Sequence, residues 1–142
     1  MTQLKRLLAL AILAASSGLA VAGNVAIITH PGSSAVGITA EEAANIYLGK
    51  TGVFGKGSSV KPVDQKPGTP AHTKFYKEVL NKSDQQFKAH WSRIMFSGKG
   101  RPPQELDSDI AVKNWVASNP NSIGYVDGSV LDNSVKILLI IP

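Results

Sequence analysis

No cysteine occurs among the 142 residues. That absence rules out disulfides, thiol nucleophiles, cysteine-ligated metals and a lipid anchor attached through cysteine. Histidine is nearly as sparse. His30, His72 and His90 never form a two-ligand metal spacing, and none stands next to a carboxylate at helical distance. No Gly-x-Ser-x-Gly elbow is present. Two segments look like a phosphate-binding P-loop, Gly55-Lys56-Gly57-Ser58 and Ser97-Gly98-Lys99-Gly100. In both, glycine follows the lysine where Ser or Thr must ligate magnesium, and Lys50 and Arg93 stand where the leading glycine belongs. Asp107 with Asp109 reads as helix-start charge, not as a catalytic pair. The expectation is a protein without catalytic residues, metal or cofactor.

The chain also lacks an apolar run of the roughly 20 residues that a membrane helix needs. It has instead Lys5 and Arg6, the uncharged stretch Leu7 to Ala15, then Ser16, Ser17 and Gly18, and the small-x-small sequence Ala20-Val21-Ala22. These are the three parts of a cleavable signal peptide. The expectation is a signal peptide over residues 1–22, cleaved after Ala22. Residues 23–142 then form a periplasmic chain with no inserted segment. Taking away Lys5 and Arg6 reduces 15 basic residues to 13 against 10 acidic, a charge of +3. The lysines are scattered singly and gather on no one face, so nucleic acid is not an expected partner. One domain with a core of its own fits this length.

Strand-like and helix-like stretches alternate from there on. Asn24-Val-Ala-Ile-Ile-Thr29 is a β-branched run closed by His30-Pro31-Gly32, the pattern of a buried strand and a turn. Thr39-Ala-Glu-Glu42 makes a capping box. Ala43, Ile46 and Tyr47 share a face of the helix it opens, and Gly49 ends it. Residues 50–59 read as a glycine-rich loop, and Val60 to Asp64 as a strand whose Pro62 marks an edge or a strand start. Thr69 is placed to cap a helix with Pro70 in its first position and Ala71, Phe75 and Val79 on its apolar face. Ser83 with Gln86 forms a second capping box, opening a helix with Phe87, Trp91, Ile94 and Met95 that ends at Gly98. After the basic loop Lys99-Gly-Arg-Pro-Pro103, Ser108 or Asp107 caps a helix carrying Val112, Trp115 and Val116. Ile123 to Val126 and Val135 to Ile140 close the chain as strands. Strands separated by helices predict a single α/β domain with a mixed, partly parallel sheet flanked by helices.

Two stretches are candidates for ligand contact. In Asp64-Gln-Lys-Pro-Gly-Thr-Pro-Ala-His-Thr73 the Gly68-Thr69 pair opens a helix, so free N–H groups and the positive dipole end face outward to an oxyanion. Thr69 and Thr73 add hydroxyls, and Lys66 or Lys74 adds positive field. The other stretch is Gly32-Ser33-Ser34, just after the first strand, where an open α/β sheet places a ligand loop. Each has a plain structural reading as well, the first as a cap and the second as a turn.

Ile46-Tyr-Leu-Gly-Lys50, Pro62-Val-Asp64, Pro67-Gly-Thr-Pro-Ala-His-Thr-Lys-Phe75, Trp91, Ser97-Gly-Lys99, Pro102-Pro103, Val116-Ala-Ser-Asn-Pro120 and Ile123-Gly-Tyr-Val126 follow one another in this order. As an ordered set they resemble the phosphate-binding component of bacterial phosphate ABC transporters, and more closely its short single-domain members. The resemblance covers nearly all of residues 23–142. It implies a domain like the type 2 periplasmic binding proteins, which hold phosphate or a similar oxyanion through hydroxyls and helix-start amides. It implies ligand contacts at Gly68, Thr69, His72 and Thr73, with Ser33 and Ser34 from the early loop. An ABC transporter permease or another envelope protein is the implied partner. Two positions depart from the pattern: Gln65 stands where an arginine commonly follows the aspartate, and Thr69 replaces a frequent serine. The competing expectation is an envelope interaction module that binds no solute and exposes Tyr47, Val53, Phe54 or the Leu138 to Ile141 run.

Overall fold

A computed structural model describes residues 22–55 and 57–142. The signal peptide expected at residues 1–22 lies, except for Ala22, outside the described residues. Five strands form one sheet in the order β3-β2-β4-β1-β5. They are β1 (Val25–Thr29), β2 (Lys61–Gln65), β3 (Gln104–Leu106), β4 (Ser122–Asp127) and β5 (Lys136–Ile141). β2 runs parallel to both β3 and β4, whereas β1 runs antiparallel to β4 and β5. The sheet is therefore mixed, as the alternation of strand and helix predicts.

Helices cover both faces. On one lie α1 (Ala40–Tyr47), α2 (Pro70–Phe75) and α3 (Asp84–Phe96); on the other lies α4 (Asp109–Ser118). Alternation along β1 shows why that strand reads as continuously apolar. Val25 and Ile27 join the core under α1–α3, and Ala26 and Ile28 join the core under α4. α4 closes tightly on the sheet at Gly124, where a Cβ would stand 2.6 Å from Val112 Cγ1 and 3.2 Å from Val63 Cγ2.

The local signals behave as their chemistry requires. Thr39 and Ser83 form complete capping boxes, and Thr69 and Ser108 cap α2 and α4. Pro62 precedes the first β2–β3 pair, Val63 with Gln104, so it is a strand start and not an edge. Other details depart from expectation. α2 continues into a wider i→i+5 turn over Tyr76–Leu80, ended by Asn81 at φ +51°. The extra residue per turn brings a second row inward, so Tyr76 and Leu80 are buried beside Phe75 and Val79. β3 is a three-residue strand with no apolar alternation, and nothing in its sequence announces it. Trp115 is 37 % exposed; α4 buries Val112 and Val116 in its place. Met95 is likewise half exposed. Among the described residues no helix is long and apolar enough to cross a membrane.

Candidate functional site

β2, β3 and β4 end together at Gln65, Leu106 and Asp127, so the turns that follow them meet at one edge of the sheet. In an open α/β sheet ligands bind outside the carboxyl ends of the strands. Gln65 ends β2, and Lys66–Gly68 turn the chain into α2, with Gly68 at φ +108°, where a side chain would be strained. The Thr69 hydroxyl accepts from the His72 N–H at 3.1 Å and donates to Gln65 Oε1 at 2.8 Å. The Thr73 hydroxyl donates to the Thr69 carbonyl over a longer 3.3 Å. It is exposed at the surface of the turn.

A buried polar network lies beneath this turn. The carboxylate of Asp64, 1 % exposed, accepts from the Tyr76 hydroxyl at 2.5 Å, from the Tyr125 hydroxyl, and from the Gln65 N–H at 2.8 Å. Burial raises the Asp64 pKa, and its donors, with His72 nearby, oppose the rise without cancelling it. Burial, then the Asp64 charge, in turn raise both phenols well above the ordinary tyrosine range. His72 is buried as well. Its Nδ1 stands 2.8 Å from the Gln65 carbonyl oxygen, its Nε2 2.6 Å from Asp84 Oδ1, and its ring stacks on Tyr76 at 3.9 Å. A carbonyl oxygen only accepts, so Nδ1 carries a proton. Among the described residues no buried side-chain nitrogen or oxygen lacks a partner.

Gln65 joins the three turns. Fully buried, it donates from Nε2 to Asp109 Oδ1 at 2.8 Å and to the Tyr125 carbonyl at 2.8 Å. Asp109 Oδ1 also accepts the Asp127 N–H at 2.8 Å. One amide side chain thus links the starts of α2 and α4 to the end of β4. Charges of both signs surround it. Lys66 pairs with Asp107 at 2.7 Å, and Lys74 donates to the Gly23 carbonyl at 3.0 Å. Although its partial burial acts in the other direction, Asp127 titrates below the usual carboxylate range, because Ser129 and the Gly23 N–H donate to it.

The six residues expected at a ligand site therefore divide. Gly68, Thr69, His72 and Thr73 come together on one turn, with His72 beneath it. Ser33 and Ser34 do not join them. β1 runs antiparallel to β2 and β4, so its carboxyl end lies at the opposite edge, beside the first residues of β4 and β5. There the Ser33 hydroxyl accepts from the Ala35 N–H at 3.1 Å, and its carbonyl accepts from Lys136 Nζ at 2.9 Å. Sequence reasoning missed Tyr76, Tyr125 and the Gln65–Asp109 link. Asp64 itself was the available signal: a carboxylate next to Val63 in a buried strand requires donors. The surfaces expected of an interaction module are not the open ones. Tyr47 is fully buried, Phe54 packs on the core and Leu138 is buried, whereas Phe96 is 98 % and Val36 88 % exposed.

No protein-family model matches this chain, and no curated protein matches it significantly. Solved structures do match. One, assigned as a phosphate ABC transporter substrate-binding protein from Clostridium perfringens with bound phosphate, is 22 % identical with a TM-score of 0.65 over 83 % of this chain and 46 % of its own. An ABC-type phosphate transport receptor from Vibrio cholerae is 17 % identical with a TM-score of 0.64, over 81 % of this chain and 45 % of its own. PstS from Borrelia burgdorferi is 18 % identical with a TM-score of 0.59, over 80 % of this chain and 46 % of its own. The likeness is one of fold, and the chain spans slightly less than half the length of each of these proteins.

Proposed function

We propose that this chain is a non-catalytic solute-binding module that holds phosphate or a similar oxyanion at the Gly68–Thr69 turn and serves ABC-type uptake in the periplasm. One observation carries the reading: about four-fifths of the chain shares the fold of phosphate receptors. The turn at the carboxyl end of β2 supplies the chemistry. The N–H groups of Gly68 and Thr69 are the donors, joined by the exposed Thr73 hydroxyl when it turns from its long 3.3 Å bond to the Thr69 carbonyl, and Lys66 and Lys74 add positive field. The Thr69 hydroxyl and His72 already have partners within the protein, so they shape the turn and do not touch the ion. Gln65 contributes no guanidinium, which removes a bidentate partner for phosphate. Nearby Asp107 and Asp127 also oppose an anion. The reading therefore calls for weak, salt-sensitive binding.

Calorimetry of the purified protein in low salt with phosphate, sulfate and acetate tests it. Heat with phosphate is expected, and Thr73→Ala should weaken binding by about 1.5–3 kcal/mol, the worth of a hydrogen bond to a charged group. Absence of heat with all three anions overturns the reading. A second reading, docking on an envelope protein without any solute, is favoured by Phe96, 98 % exposed at the end of α3 beside the half-exposed Met95. It requires that a transporter permease co-purify with the protein and that Phe96→Asp abolish the association.

A further inference from the structure

A cavity of about 760 Å³ lies at the edge of the sheet away from the Gly68–Thr69 turn. Lys61, Gln104 and Ser122, the first residues of β2, β3 and β4, line it, which puts it at the amino ends of the parallel strands. Three cations open onto it: Lys61 from β2, and Lys99 and Arg101 from the loop between α3 and β3. All three are exposed, and no Asp or Glu contributes to the lining. Among the described residues none of the three pairs with a carboxylate; the lysine ion pairs there are Lys66–Asp107 and Lys113–Asp132. Residues 23–142 carry 13 basic and 10 acidic side chains, so a wall with three of one sign and none of the other is a local concentration of charge. A concave wall of one sign focuses its field on an anion.

The wall also carries two aromatic rings. Both tryptophans of the chain line the cavity. Trp91 is held in place by its indole N–H, which donates to the Tyr47 carbonyl at 3.1 Å. Glycines flank its ring. A Cβ on Gly49 would stand 2.6 Å from Trp91 Cη2, and one on Gly100 would stand 3.6 Å from Cζ3. Trp115, 37 % exposed, offers its indole to the cavity from α4. Its departure from the α4 core, unexplained by helix packing, is accounted for if it serves this wall.

We infer that this cavity is a second ligand site, taking a nucleotide-sized organic anion in which a planar ring bears phosphate groups. Its volume falls within the roughly 300–1,000 Å³ of small-molecule sites, and a lone inorganic phosphate would leave most of it unfilled. The ring stacks on Trp115 against the Trp91 floor, and Lys61, Lys99 and Arg101 meet the phosphates. The site is separate from the proposed oxyanion turn, which lies at the other end of the strands.

Adenosine diphosphate and inorganic pyrophosphate are the probes, the second supplying charge without a ring. Trp91 and Trp115 are the only tryptophans, so quenching of intrinsic fluorescence reports on this cavity, with calorimetry as an independent readout. In low salt the diphosphate should quench both and bind about tenfold or more tightly than pyrophosphate, the worth of one stacked ring. Lys99→Gln with Arg101→Gln should weaken it about tenfold or more, as should Trp115→Leu, whereas Thr73→Ala should leave it unchanged. Lys61→Gln provides a second cation test from a different element. Circular dichroism of each variant checks that the fold is intact. Absence of binding at millimolar nucleotide, equal affinity for pyrophosphate, or full affinity in the cation variants overturns the inference. None of these results bears on whether phosphate binds at the Gly68–Thr69 turn.

Discussion

Asp64, Tyr76 and Tyr125 form the part of this molecule most sensitive to a single atom. Each phenol gives the buried carboxylate a donor, so Tyr125→Phe should destabilise the protein by about 1.5–3 kcal/mol, measured as a shift of the urea midpoint. The same carboxylate sets a pH dependence. Because its pKa in the folded state is raised, the folded form holds the proton more tightly than the unfolded form. Stability from this group is therefore highest in acid and falls as pH rises from the ordinary aspartate range, near pH ~4, through the raised folded value. Asp127 and Asp132, both lowered, act in the opposite sense and are common to wild type and variant. A difference curve of urea midpoints for Asp64→Asn against wild type across this range should isolate the Asp64 contribution. A flat difference would show that Asp64 does not titrate differently on folding. Gln65, beside it, is neutral and wholly engaged by Asp109, Tyr125 and Thr69. Its role is to hold three turns together.

The elements fall into two kinds. Helices with a cap in their own sequence are legible nearly residue by residue: Thr39 with Glu42, Thr69 with Pro70, Ser83 with Gln86 and, of the pair Asp107 and Ser108, Ser108 each satisfy amide groups within one turn. The i→i+5 turn at Tyr76–Leu80 was not legible, because Ala71, Phe75 and Val79 already make a complete ordinary helical face. The second inward row depends on space offered by Phe87 and Asp64 from elsewhere in the chain. β3 was invisible for a similar reason: Gln104–Leu106 is a strand because β2 lies beside it, not because of its own composition. The seat of α4 on the sheet is also tertiary. Gly124→Ala would drive a Cβ to 2.6 Å from Val112 Cγ1 and 3.1 Å from Val116 Cγ2. We expect a loss of about 1–3 kcal/mol, typical of overpacking, measured by thermal or urea unfolding. An unchanged stability would mean that α4 can shift without penalty.

At the scale of the molecule, the two proposed sites lie at opposite ends of the parallel strands. The carboxyl ends of β2, β3 and β4 carry the proposed oxyanion turn, with acids interspersed. Their amino ends carry the cationic, tryptophan-lined cavity. A strand of five residues spans roughly 16 Å, so ligands at the two edges do not touch. Saturating phosphate should accordingly leave the affinity for adenosine diphosphate unchanged, and calorimetric titration of the nucleotide with and without phosphate checks this. A large mutual effect would show that the two sites are shared or coupled and overturn their independence. The same two edges separate Ser33 and Ser34 from Thr69. Ser33 and Ser34 do follow a strand, as a ligand loop of an open α/β sheet does, but that strand runs antiparallel to β4.

Features set by short-range chemistry can be read from the order of residues. The residues alone specify three helix caps, narrow the fourth to Asp107 or Ser108, and specify the buried character of Val25 to Thr29, a mixed α/β sheet and the ordered resemblance to phosphate receptors whose fold the chain shares. Which loops share an edge, the inward bond of Gln65 to Asp109 and the place of Trp115 on the cavity wall depend instead on how the chain packs. The reason is physical. A cap or an apolar alternation acts within a few residues, but the direction in which a strand pairs is set by partners about a hundred residues away, as Val25 with Asp127 shows. Whether a loop after a strand can meet a ligand depends on that direction.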